Sequence, residues 1–218
     1  MLVKTYGAAV QGIDATLITI EVNVSQGIKF FLVGLPDNAV KESHERIMSA
    51  LQYNKIPIPR KQVVINMAPA DIRKEGSAYD LPLAIGMLAA TEVVDSQDID
   101  KYVIMGELSL DGTLNPIKGA LPIAIKAREA GFKGFILPKA NSREAAVVNN
   151  LEVYGVDNIT EVVKFLNHEI ELEKTEVDTR TEFLEHIETF DLDFADVKGQ
   201  ENVKRALEIA AAGGTTSL

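Results

Sequence analysis

Cysteine is absent from this 218-residue chain. That removes disulfides, thiolate metal sites and thiol nucleophiles. Histidine is scarce: His44, His168 and His186 stand far apart, no two have ligand spacing, and no H-E-x-x-H occurs. A metal site is left to carboxylates. Asp71 and Asp80 flank one turn and could bind Mg²⁺, but Asp80 is better placed to interact with its own helix N-terminus. The phosphate-loop pattern G-x-x-x-x-G-K-S/T is missing throughout, and Gly213-Gly214-Thr215-Thr216-Ser217 has neither its lysine nor its spacing. The opening residues, MLVKTYGAAVQG, are neither a signal peptide nor a membrane span. A cytosolic protein is expected, with no membrane partner.

The net charge of −10 is unevenly spread. Residues 169–193 hold ten acids against Lys174 and Arg180, a net −8, whereas residues 1–168 hold 19 acids and 17 bases. A protein that grips nucleic acid by counterion release shows a basic face. This composition has no such bias, although Arg60-Lys61 with Arg73-Lys74 could form a local patch.

The pattern along the chain mixes adjacent strands with interposed helices, so an α/β (α+β) sandwich, a mixed sheet with packed helices, is expected. Residues 3–10, 15–24 and 29–33 read as strands, with turns at Gly12 and Ser25-Gln26-Gly27. Gly34-Leu35-Pro36-Asp37 is a strand-to-helix turn that could also meet a partner. Asp37 is a plausible N-cap for a helix with Val40, Ile47, Met48 and Leu51 on one face. His44 on that helix should face solvent. Residues 62–67 form an apolar β-branched run suited to a buried central strand. Residues 79–90 read as a very apolar helix with Pro82 in its first turn. Leu108, Leu110, Asp111-Gly112 and Leu114 signal a hairpin. A helix with Leu121, Ala124 and Ile125 follows, closed by Gly131. Phe135-Ile136-Leu137 is a short strand ended by Pro138. Residues 142–149 read as a helix, 152–156 as a strand, and 160–166 as a helix capped by Asn158 or Thr160.

Residues 169–193 are acidic and poor in large apolar side chains, a composition that suits a linker cut first by proteases. Residues 194–218 hold a helix with Val203, Ala206, Leu207 and Ala210 on one face.

Three segments carry a resemblance. VGLPDNAVKESHERIMSAL (33–51) followed by NMAPADIRKEGSAYDLPLAIG (66–86) resembles the bacterial ComM (YifB) family of Mg-chelatase-related AAA+ proteins. MGELSLDGTLNPIKGALPIAIKAREAGFKGFILPKANSREA (105–145) is similar to the second half of the Lon protease catalytic domain, and residues 65–90 to the Lon segment that presents the nucleophilic serine. The resemblance spans essentially the whole chain. It implies a ribosomal protein S5 domain 2-like fold over residues 1–168, an acidic linker over 169–193, and the start of a truncated AAA+ (Mg-chelatase-like) module over 194–218. In that module Val197, Gly199 and Gln200 would sit at the edge of the adenine pocket. The chain is expected to be a fragment of a longer protein. For the intact protein the resemblance implies ATP and Mg²⁺ as cofactors, a hexameric ring, DNA as partner, and branch migration in natural transformation. The domain's own partner would be the downstream AAA+ module. This chain itself would take no cofactor.

The resemblance also locates what is missing. A Ser-Lys dyad needs a lysine of depressed pKa to take the serine proton and backbone N–H groups to hold the oxyanion. Aligning Lys74-Glu75-Gly76 and Gly106-Glu107 with the Lon signatures puts the serine position on Ala78 and the lysine position on Leu121, at the Lon spacing. Both dyad members are apolar here. A shifted dyad of Ser77 and Lys118 is the alternative. Against it, Ser77 can serve as a capping hydroxyl and Lys118 as a solvated first-turn lysine, and a one-residue shift turns a helical side chain by about 100°. The sequence therefore predicts a non-catalytic accessory domain. The rivals are a Ser-Lys peptidase with the shifted pair, and a stand-alone nucleic-acid-binding module suggested by fold analogy.

Overall fold

Apolar residues alternate along the first two strands, and the chain pairs them as a long ribbon. β1 (Leu2–Gln11) and β2 (Asp14–Ser25) run antiparallel from Leu2↔Asn23 to Gln11↔Asp14. The computed structural model describes residues 1–178 and 196–213. β3 (Phe30–Val33) and β4 (Gln62–Ala68) are parallel to each other, and β4 is antiparallel to β2. On the other side of β1, β5 (Tyr102–Ile104), β8 (Gly134–Pro138) and β9 (Glu152–Val156) add in parallel. The seven-stranded order is β3-β4-β2-β1-β5-β8-β9, and β6 (Glu107–Leu108) with β7 (Leu114–Asn115) forms a separate hairpin. The expected mixed sheet with packed helices is the observed architecture.

The helices are α1 (Asn38–Lys41), α2 (Ser43–Tyr53), α3 (Asp80–Ala90), α4 (Ala120–Glu129), α5 (Lys139–Ala146) and α6 (Ile159–Leu166). Every residue of α3 is buried. Its Gly86 lies against Val22 and Thr5 on one face of the sheet, while Gly119, ahead of α4, lies against Val10. Thr5 and Val10 point to opposite faces because strand side chains alternate. The sheet therefore carries helices on both sides.

Several local expectations shift. The helix expected after Asp37 is two pieces: Asp37 caps the single turn α1, accepting the Val40 N–H at 2.8 Å, and Ile47, Met48 and Leu51 belong to α2. β4 is alternately rather than fully buried, since one of its faces is left partly open. The hairpin closes through Ser109–Thr113, with Leu110 exposed at its tip, because Asp111 folds back onto Thr113. α5 starts at Lys139, three residues early, directly after Pro138. Asn158, not Thr160, caps α6.

The first unit ends at Val177 rather than at residue 168. β9 is the last strand of the sheet, and its open edge takes the chain that follows. The Thr175 N–H donates to the Val153 carbonyl at 2.8 Å, Lys174 meets Glu152 at 2.6 Å, and Leu172 packs on the core. The expected linker thus loses its first nine residues to the domain, and its residues 179–193 lie outside the described residues. The second unit, Asp178–Leu218, contains α7 (Glu201–Gly213), on which Val203, Leu207 and Ile209 are exposed.

Candidate functional site

A cleft of about 470 Å³ opens beside the end of β1. Its floor is residues 8–11 with Met105; one wall is the turn 75–79 and the other the segment 116–118. Ser77 opens a one-turn 3₁₀ helix (Ser77–Tyr79) that runs into α3. The hydroxyl expected to cap that helix does something else. It donates to the Glu107 carboxylate, whose other oxygen accepts Asn115 Nδ2 at 3.1 Å. Ala78 lines the cleft, and its carbonyl accepts the Gly106 N–H at 2.8 Å. Tyr79 lies beneath, its hydroxyl donating to the Ala8 carbonyl at 3.0 Å, and burial pushes its pKa up.

Leu121 is half-buried in the first turn of α4, and its N–H donates to Glu144 at 3.0 Å. It is not a wall of the cleft; Ile123 and Lys118 are. Lys118 is exposed and stands before the helix, not in its first turn. Gly119 between them is left-handed (φ 75°), and a Cβ there would lie 2.9 Å from a Val10 methyl, so conformation and close approach both select glycine. Ser77 and Lys118 therefore share the cleft, but no hydrogen bond joins them.

Asp80 is brought to a partner that the sequence reading missed. It is fully buried, with Arg46 Nε at 2.6 Å from Oδ2, Arg46 Nη2 at 2.9 Å from Oδ1, and the Leu108 N–H at 3.1 Å from Oδ2. Burial pushes the Asp80 carboxyl above the usual carboxylate range, and the Arg46 guanidinium pulls against it. Both oxygens are taken, so Asp80 has no room for Mg²⁺, and Asp71 is exposed. Among the described residues no three His, Cys, Asp or Glu side chains are grouped to hold a metal. A lone aspartate heading an otherwise apolar helix was the available signal, since a buried carboxylate calls for a cation.

The basic grouping also changes. Lys74 is completely buried and donates to the carbonyls of Gly34, at 2.7 Å, and Pro69. Burial lowers its pKa. Arg60, Lys61 and Arg73 remain exposed. His44 is half-buried, its ring 4.4 Å from that of Phe30 and its Nδ1 3.2 Å from Glu45. Asp37 ties the 34–37 turn to the cleft wall, accepting the Gly76 N–H at 3.0 Å. In the second unit, the carbonyls of Val197 and Gln200 serve the start of α7, bonding the Lys204 ammonium at 2.6 Å and the Val203 and Lys204 N–H groups at 2.9 Å.

The sequence is similar to one family and to several known proteins. The family described as subunit ChlI of Mg-chelatase matches residues 20–141. Competence protein ComM of Haemophilus influenzae is 38% identical over 213 residues, covering 97% of this chain and 42% of that protein. YifB of Escherichia coli K12 is 40% identical over 212 residues, covering 96% of this chain and 40% of that protein. The chain thus spans about two fifths of the length of these relatives. An archaeal Lon protease from Thermococcus kodakarensis is 27% identical over 142 residues, covering 62% of this chain and 22% of the protease. No helix among the described residues is long and apolar enough to cross a membrane.

Proposed function

The chain belongs to the ComM/YifB family of Mg-chelatase-related proteins, and on that premise we propose that its first unit is a Lon-like domain without peptidase chemistry, an accessory to an AAA+ motor. One observation carries this reading. The Ser77 hydroxyl, next to the Ala78 that the Lon resemblance sets at the nucleophile position, is committed to a carboxylate, with no amine among the described residues bonded to it. A serine nucleophile needs its proton taken by a positioned base of suitable pKa. Lys118 is exposed and makes no hydrogen bond to Ser77. Incubation with unfolded casein should leave the substrate intact, and a fluorophosphonate probe should leave Ser77 unlabelled. Labelling that disappears in Ser77→Ala would overturn the reading in favour of the shifted dyad.

For the intact protein we infer an ATP- and Mg²⁺-dependent hexamer that works on DNA, with branch migration in natural transformation as its process. The word competence in the name of the Haemophilus relative supports that direction. The residues of this chain do not fit a triphosphate. The phosphate loop is absent, and Lys204 is occupied by Val197 and Glu201. Calorimetric titration with Mg-ATP should show no binding, and micromolar affinity would sink this part of the reading. The stand-alone nucleic-acid reading is weakened by Lys74, whose burial takes one cation out of the basic grouping.

A further inference from the structure

The floor of the cleft is an unpaired strand edge. Odd-numbered residues of β1 bond to β2: the two-residue turn Gly12-Ile13 closes on Gln11↔Asp14, and at the far end the Val24 N–H meets the Met1 carbonyl. Even-numbered residues therefore turn their N–H and C=O the other way. Tyr6 uses that side to pair with Val103 of β5. β5 ends at Ile104, so the edge beyond is uncovered. Ala8 is satisfied by the Tyr79 hydroxyl and by Met105 Sδ at 3.3 Å. Among the described residues Val10 has no hydrogen-bond partner on that side, and the pairing parity turns its N–H and C=O toward the cleft it lines.

Charge points the same way. Arg73 pairs with Glu75 at 3.1 Å, and Glu107 is held by Ser77 and Asn115. Lys118 alone among the charged groups of the walls has no partner among the described residues. Residues 8–11 present about 10 Å of strand edge at the usual rise per residue. An unpaired strand edge takes an extended backbone, and the alternate side chains of that backbone choose the pockets. The lining beside this edge is small and apolar: Ala8 on β1 and Ala78 on the facing wall.

We propose that this cleft holds, without cutting it, an extended peptide that pairs with Val10, seats a small apolar side chain between Ala8 and Ala78, and sets a carboxylate against Lys118. The inference rests on the non-catalytic reading above. Uptake and cleavage are separable, so the two can fail independently.

The probe is a capped hexapeptide, acetyl-Ala-Val-Ala-Glu-Ala-Val-amide, with two controls: the same peptide with Glu replaced by Gln, and a version N-methylated at the central residues. Amide NMR of the isotope-labelled full chain should show shifts at Val10, Gln11 and Lys118 on titration. N-methylation should weaken binding at least tenfold, because it removes the pairing donor. Lys118→Met should weaken the Glu peptide about fivefold and leave the Gln peptide unchanged, the size expected of one exposed charge pair. Val10→Pro removes the outward N–H, which proline permits on a strand edge, and Val10→Ala controls for the loss of the methyls beside Gly119. The proline variant alone should abolish the shifts while the β2 pairing amides stay in place. Shifts confined to residues outside the cleft, or equal affinity for the N-methylated peptide, would overturn the inference. Mass spectrometry of the recovered peptide reads the other premise: a peptide bound and cut leaves the site standing and removes the non-catalytic reading.

Discussion

Removing Arg46 strips the only cation from a carboxylate that has no access to water. Asp80 is 0% exposed and the Arg46 side chain 21%. The guanidinium gives Asp80 two hydrogen bonds and also reaches the Ala39 carbonyl at 2.8 Å, joining α1, α2 and α3. Breaking one side of such a buried pair leaves a desolvated charge, at a cost of about 3 kcal/mol. For a chain of this size that lowers Tm by about 6–12 °C. Arg46→Leu should show this loss in urea unfolding followed by circular dichroism at pH 7. The penalty should shrink as the pH falls. Burial already raises the folded pKa of Asp80, and loss of the guanidinium raises it further. The ionised form is then the costly one, so protonation on acidification relieves the variant before it helps the parent. Asp80→Asn keeps an acceptor for the Leu108 N–H and removes the charge. In the double variant Arg46→Leu/Asp80→Asn the two costs should overlap by at least about 1.5 kcal/mol. A loss under about 1 kcal/mol in Arg46→Leu, or additive costs in the double variant, would refute the buried-pair reasoning.

Two further outcomes follow from the same structure. Lys74→Met leaves the Gly34 and Pro69 carbonyls without their donor and should cost about 2 kcal/mol. Because burial lowers the folded pKa of Lys74, parent stability should rise as pH climbs from that lowered value toward 10.5, and the variant should lack this rise in alkaline urea melts. A chain ended at residue 168 should be less stable than one ended at 178 by about 1 to 2 kcal/mol, since it loses the Thr175 hydrogen bond and the Leu172 contact. Equal midpoints would return the domain boundary to 168.

The strands were legible because β1, β2 and β9 alternate or run apolar over their length, a signal held by each segment alone. The caps at Asp37 and Asn158 were legible for the same reason, being bonds to residues two or three positions on. Contacts between distant segments were not. Ser77 reads as a cap from its neighbours, and only the fold places Glu107, thirty residues later, against its hydroxyl. Lys74 reads as half of a basic dipeptide, and only the fold shows it sealed under the carbonyls of Gly34 and Pro69. The acidic run after residue 168 reads as a linker because composition averages over positions, whereas Leu172 and Thr175 act singly at the edge of β9.

The turn over 75–79 keeps its shape for reasons separate from the chemistry that a Lon-like turn performs. Asp37 holds the Gly76 N–H, Arg46 holds Asp80 where α3 begins, and the Gly106 N–H holds the Ala78 carbonyl. None of these bonds uses a nucleophile or a general base. On the proposed Lon register, both dyad positions can be apolar while the same bonds still pin the turn beside the strand edge. That separates the two things a motif match can mean. The residues around position 78 shape the wall of the cleft, whereas the Lon alignment alone assigns the nucleophile and base positions to Ala78 and Leu121, and Leu121 is not on that wall. On the reading proposed above, the bonds that pin the turn do not depend on an attacking group, so the cleft can hold a peptide whether or not it can cut one.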